Sequence, residues 1–128
     1  MESISFRAWD KEEKKMHKVK TIEFSRRGAR IIHLAEVNSN GKGDHKRWHS
    51  SVELMQSTGL KDKNGTEIYE GDIVKNIYDE IYVVKWFDAG FYLEERYNGG
   101  FDYSELHFGN NKEVIGNIYE NPELLEDN

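Results

Sequence analysis

Ile81-Tyr82-Val83-Val84-Lys85-Trp86-Phe87 decides the fold class. β-Branched and aromatic residues fill it, the types that suit a pleated, half-buried surface. Asp88-Ala89-Gly90 then turns the chain back into Phe91-Tyr92-Leu93, so the segment reads as a β-hairpin. The same signal extends on either side. Upstream, Gly71-Asp72-Ile73-Val74 opens a strand, and Asp62-Lys63-Asn64-Gly65 fits a type I turn closed by a left-handed glycine. Downstream, Asn98-Gly99-Gly100 ends the second hairpin strand, residues 103–108 read as one helical turn, and Val114 to Tyr119 is a last strand. Asn121-Pro122-Glu123 suits a helical start, with asparagine as cap and proline in the first position. Short strands at this spacing predict a small SH3-like barrel across residues 59–120.

The first half carries the same period of two. Ile4, Phe6 and Ala8 alternate with Ser5, Arg7 and Trp9. Met16 to Phe24 and Ala29 to Val37 are two further strand segments, joined by an Arg26-Arg27-Gly28 turn. Gly41 and Gly43 mark a flexible loop near 38–47, and Trp48 to Met55 reads as a short helix. The expectation is a mainly β protein, all-β or α+β with little helix. An N-terminal sheet of about three strands would occupy residues 1–58. The SH3-like barrel, with a short C-terminal helical turn, would occupy 59–128.

Composition narrows the function classes. The chain has 128 residues, no cysteine and one proline. That is too short for a (β/α)8 barrel or a doubly wound nucleotide fold, which take about 200 residues or more. Without cysteine there is no disulfide framework and no thiolate metal site. No apolar run approaches the roughly 20 residues of a membrane span, and no signal peptide is expected. Residues 1–63 hold 14 Lys/Arg against 9 Asp/Glu, a net of +5; residues 64–128 hold 4 against 15, a net of −11. The sum, −6, argues against tight nonspecific DNA binding but leaves room for a local basic face or head-to-tail self-association.

Ile4-Ser5-Phe6-Arg7-Ala8-Trp9-Asp10 resembles the opening of the YopX family of phage and prophage proteins. The block from Leu54 to Gly65, continued by Ile68-Tyr69-Glu70-Gly71-Asp72-Ile73-Val74, is similar to that family's central signature, and Val114 to Leu125 to its ending. The resemblance implies a mainly β protein of a phage or prophage, working in the bacterial cytoplasm. It implies no activity and no catalytic residues.

The residues themselves offer four sets of candidates. Asp72 after Gly71 reads as a carboxylate accepting loop N–H bonds, with a role as acid or metal ligand as the alternative. His45 and His49, with Asp44, have the i, i+4 spacing of a metal pair if that stretch were helical, but no third ligand stands at suitable spacing. Arg26, Arg27, Lys46, Arg47 and Trp48 are candidate nucleic-acid contacts, since charge tracks phosphates and an aromatic ring stacks bases. The competing reading is two solvated loops, with Trp48 pinning one of them to the core. Tyr82, Trp86, Phe91 and Tyr92, with Tyr97 nearby, are either core or a groove for a partner peptide. No Gly-x-Ser-x-Gly elbow, thiol nucleophile or Gly-x-x-x-x-Gly-Lys phosphate loop occurs. The expectation is therefore a noncatalytic accessory protein without cofactor or metal. It would bind a phage or host protein, with nucleic-acid binding by the basic half as the alternative and a homo-oligomer as a further possibility.

Overall fold

The computed structural model describes residues 5–26, 28, 30–35, 45–97 and 100–126. It is mainly β, with eleven strands among the described residues and only 3-10 turns as helical pieces. The chain divides between Gln56 and Ser57 into two compact units.

The first unit is built from β1 (Phe6–Asp10), β2 (Lys15–Phe24), β3 (Arg30–Leu34), β4 (His45–Trp48) and the first half of β5 (Val52–Lys61). All pairings are antiparallel, in the order β4-β3-β2-β1-β5. Its sheet is wider than the three strands expected. The helix expected over residues 48–55 is replaced by a 3-10 turn at His49–Ser51 and by β5. Two turns of helix cannot offset the cost of nucleation, whereas Val52 and Leu54 alternate correctly to pair with Asp10 and Ala8 on β1. Residues 45–47 of the expected loop belong to β4, and residues 38–44 lie outside the described residues. Ala8, Ile32, Leu34 and Val52 form the core, with Val19, Ile22 and Leu54 against it. Gly28 closes the β2–β3 turn at φ 79°, its N–H donating to the Ser25 carbonyl.

In the second unit the latter half of β5 pairs with β6 (Glu67–Tyr69). The other strands are β7 (Asp72–Lys75), β8 (Ile81–Phe87), β9 (Gly90–Tyr97), β10 (Gly100–Glu105) and β11 (Glu113–Asn117), in the antiparallel order β10-β9-β8-β7-β11. The small barrel expected here is not closed: β10 and β11 are free edges among the described residues. The helical turn expected at 103–108 is replaced by β10, because Phe101 and Tyr103 alternate with Asp102 and Ser104 and pair with β9. Ile68, Val74, Val84 and Leu93 form the core, each at most 5% exposed. Each such side chain contributes about 1.5–3 kcal/mol of burial.

Two turns locate the strands. At Asp62–Gly65 the Gly65 N–H donates to the Asp62 carbonyl at 3.0 Å and Gly65 holds φ 84°, the left-handed closure its sequence predicts. At Gly116 a Cβ would come within 2.5 Å of Asn121 Oδ1, so the close approach of Asn121 to the strand requires glycine. The turn at Pro122–Leu125 starts with proline in its first positions, but Asn121 makes no side-chain cap there; its Oδ1 accepts from the Asn117 N–H instead.

Candidate functional site

The basic cluster of the first unit comes apart on β4. Arg47 lies opposite Ile32 and so shares the core face. Its Nε donates to Asp10 Oδ2 at 2.8 Å, Nη2 donates to Glu13 Oε1, and Nη1 donates to the Lys46 carbonyl. Asp10 is fully buried, and its Oδ1 accepts the N–H groups of Glu12 and Glu13 at 3.0 and 3.1 Å. Burial pushes the Asp10 carboxyl up, but these two N–H groups and the Arg47 guanidinium outweigh it and hold it below the usual carboxylate range. Arg47 thus braces the β1–β2 turn from β4 and is not offered to a phosphate.

Lys46 and Trp48 alternate to the opposite face, where both are exposed. Trp48 is 57% exposed and does not pin its segment to the core. Arg26 is exposed on the β2–β3 turn, which returns into β3 at Arg30, beside the Ile31–Trp48 pair. Arg27 lies outside the described residues. Phe24, 69% exposed at the end of β2, was not singled out by the sequence, since it reads as one more member of an alternating strand.

The aromatic hairpin of the second unit also splits by face. Tyr82, Val84 and Trp86 share one face with Phe91 and Leu93, where Tyr82 and Phe91 pack on the core. Trp86 and Phe91 rings lie 4.6 Å apart. Asn76 Nδ2 donates to the Tyr82 hydroxyl at 3.3 Å, and burial followed by the charges of Glu80 and Glu95 pushes that phenol up. Tyr92 is on the other face. It stacks on Phe87 at 4.3 Å and 15°, and Phe87 meets Tyr103 edge-on at 5.2 Å and 81°. Of the four residues expected to line one groove, Tyr82, Trp86 and Phe91 share a face and Tyr92 lies on the other. Tyr97 belongs to β9, but the position of its side chain lies outside the description.

That second face has an organised floor. Glu94 is 6% exposed; Tyr103 Oη donates to its Oε2 at 2.8 Å and Arg96 Nε to its Oε1 at 3.1 Å. The hydrogen bond to Glu94 raises the Tyr103 phenol above its ordinary range. Arg96 also lies 5.8 Å over the Phe101 ring, within cation–π range. Phe101 and Tyr103 remain about half exposed and Phe87 more than a third. Beside them a cleft of about 160 Å³ is lined by Ile81, Glu94, Arg96, Leu124, Leu125 and Glu126. Phe87, Phe101 and Tyr103 were missed in the sequence; the signal that could have found them is the parity of the strands around the hairpin.

The carboxylates of Asp72 and Asp62 organise backbone. Asp72 Oδ2 accepts the Tyr69 N–H at 2.8 Å, as its position after Gly71 predicts. Asp62 Oδ1 accepts from Asn64 and Thr66, and Oδ2 from Val114, all within 2.9 Å. Burial raises the Asp62 carboxyl, yet the three N–H donors together hold it below the ordinary range. His45 is on β4 and His49 in the 3-10 turn, where its Nδ1 meets the Arg30 N–H at 3.3 Å, so the pair has no helical i, i+4 geometry. Among the described residues no three histidine or carboxylate groups cluster around a cation-sized space, and no helix is long and apolar enough to cross a membrane.

The YopX protein family profile matches residues 5–126. A crystal structure of the protein yopX from Bacillus subtilis is similar with a TM-score of 0.61 and 22% identity, covering 95% of this chain and 98% of that one. A crystal structure of protein EF1440 from Enterococcus faecalis is similar with a TM-score of 0.54 and 32% identity, covering 98% of this chain and all of that one. No curated protein matches the chain.

Proposed function

Since this chain belongs to the YopX protein family, we propose that it is a noncatalytic interaction protein of a phage or prophage, working in the bacterial cytoplasm, and that it meets a protein partner through the second unit. The observation that carries this reading is the ring cluster Phe87–Tyr92–Tyr103, in which Phe87 and Tyr103 are exposed yet held in place by packing with Tyr92 and by Glu94. Large, pre-ordered aromatic side chains are what interface centres are made of, because they bury much area at little cost in rotamer freedom. The buried carboxylates support the same reading: Asp10, Asp62 and Asp72 accept backbone N–H groups and hold turns in place. The bacterial setting draws support from the sources of the two solved relatives.

The test is photo-crosslinking in a prophage-carrying bacterial cell, with the crosslinker placed at Phe87 or at Phe24 of the first unit. A discrete protein adduct from Phe87 and none from Phe24 is the expected result. Turnover of a substrate by the purified chain, lost on changing one polar side chain, would overturn the noncatalytic reading.

Nucleic-acid binding is the second reading, favoured by exposed Trp48 next to exposed Lys46 on one face of an edge strand. Gel shifts with single- and double-stranded DNA and RNA at two salt concentrations decide it, because phosphate contacts weaken steeply with salt.

A further inference from the structure

We infer that β10 is a docking edge, to which an extended, lysine- or arginine-rich segment of a partner protein adds as a further strand. The inference rests on the reading of the chain as a protein-interaction module and names the class of partner.

The backbone argument comes first. β10 pairs with β9 on one side and with no described strand on the other. In an antiparallel ladder, residues alternate between exchanging both hydrogen bonds with their partner and pointing N–H and C=O away from it. The Leu106 N–H donates to the Phe91 carbonyl at 3.1 Å, continuing the register that sets Glu105 opposite Tyr92. Ser104 and Asp102 therefore face β9 in the same way. Phe101, Tyr103 and Glu105 turn their N–H and C=O groups outward, an open template for a new strand.

The side chains of those three residues all fall on the face that carries Phe87 and Tyr92. A strand added at this edge would thus gain main-chain hydrogen bonds and aromatic neighbours at alternate positions. The opposite edge is less suited, because β11 carries a register shift between Val114 and Gly116.

Charge selects the occupant. β9 and β10 hold Glu94, Glu95, Asp102 and Glu105 against Arg96, a net of −3; Arg96 pairs with Glu94, and Glu105 Oε2 lies 2.9 Å from His107 Nε2. The whole stretch 57–128 has 6 Lys/Arg and 16 Asp/Glu, a net of −10. Two copies of β10 edge to edge would set like charges against each other, which destabilises a strand pair. The same residues attract a basic strand.

The test uses the intact chain and a fluorescein-labelled ten-residue peptide alternating lysine with valine. Fluorescence anisotropy gives affinity at low and high salt, and amide hydrogen exchange locates the contact. The expected results are saturable binding, at least about tenfold weaker for the glutamate-for-lysine peptide and for a peptide N-methylated at alternate backbone nitrogens. Slowed exchange should fall on Phe101, Tyr103 and Glu105. Phe101→Ser should weaken binding by about fivefold, while Phe24→Ser, in the other unit, leaves it unchanged. Equal binding of the N-methylated peptide, or protection elsewhere, overturns the inference. So does concentration-dependent protection of β10 in the peptide-free chain, which would assign the edge to a second copy. A Phe87 crosslink to a partner combined with no peptide binding overturns the strand-addition inference alone and leaves the interaction reading standing.

Discussion

β4 and β10 are both edge strands, both short, and both mix an aromatic with charged residues, yet they use that mixture in opposite ways. On β4 the guanidinium of Arg47 turns inward to a fully buried Asp10, and Trp48 is left outside. On β10 the Tyr103 hydroxyl turns to buried Glu94 while its ring joins an exposed aromatic set. In the first unit, buried charge pairing holds a turn together; in the second, a buried carboxylate fixes the position of exposed rings. The positive net charge of the first half therefore does not by itself put Arg47 at the surface.

The sharpest way to break this contrast is Arg47→Ala. It leaves the Asp10 carboxylate buried without its cation, so it should cost about 3 kcal/mol, at the low end for a broken buried pair because Arg47 itself keeps some exposure. The Asp10→Val/Arg47→Met double change strands neither charge but also removes the acceptor for the Glu12 and Glu13 N–H groups, so it should recover only part of that loss. Urea denaturation of the parent, Asp10→Val, Arg47→Met and the double variant gives the coupling. An Arg47→Ala protein as stable as the parent would return Arg47 to the surface and reopen it as a phosphate contact.

The second unit has its own counterpart. Asp62→Ala removes the acceptor for three backbone N–H groups linking the hairpin to β11, and should cost about 2 kcal/mol. Asp10 and Asp62 are both held below their ordinary range in the folded chain. Their contribution is then complete above the unfolded carboxylate value of about 4 and is lost as pH falls through the folded value. The urea midpoint of the parent should fall between neutral pH and pH below 4, with a shallower decline in Asp62→Ala. An identical slope in both proteins would remove Asp62 from the acid response.

Two turns sharpen the comparison at a smaller scale. Gly65→Val places a β-branched residue at φ 84° in open space, so only backbone conformation opposes it, at about 1–2 kcal/mol. Asn64→Ala should cost less. The β8–β9 turn presents the reverse case, with Asp88 at φ 49° and Ala89 at φ 58°. Ala89→Gly should stabilise by up to about 1 kcal/mol, as glycine suits this left-handed hairpin turn. A Gly65→Val protein that melts no lower than the parent would contradict the first turn assignment, and an Ala89→Gly protein that melts lower would contradict the second.

What was legible in the sequence follows from distance along the chain. The Asp62–Gly65 turn, the Ile81–Phe87 hairpin and the structural use of Asp72 depend on neighbours a few residues away, and the residue types carry them. The face of each aromatic was lost by one residue. Reading the turn as Asp88-Ala89-Gly90 hides that Gly90 already pairs with Phe87, and a slip of one position exchanges the two sides of a strand. Phe87 and Tyr92 then belong together, and Trp86 and Phe91 belong to the other face. Arg47 was illegible for a different reason: its partner, Asp10, is 37 residues away, and only the β4-β3-β2-β1 order brings them together. The helix expected at 48–55 failed similarly, since β1 supplies the pairing that local propensity does not contain.

The smallest effects isolate function from folding. Trp48 and Lys46 are exposed on β4, and replacing either with alanine should leave stability within about 0.5 kcal/mol of the parent. Arg47→Ala would confuse a gel-shift experiment, because weakened binding could follow from a loosened β1–β2 turn. Trp48→Ala and Lys46→Ala do not share that ambiguity. If the first unit binds nucleic acid, Trp48→Ala loses a stacking contact worth about 1–3 kcal/mol per base, and Lys46→Ala makes the salt dependence shallower by about one phosphate contact. If it does not, both variants retain the parent's melting temperature and its failure to shift any probe. The contrast between the units then stands: the buried carboxylate of the first braces a turn, and that of the second holds an aromatic set in place.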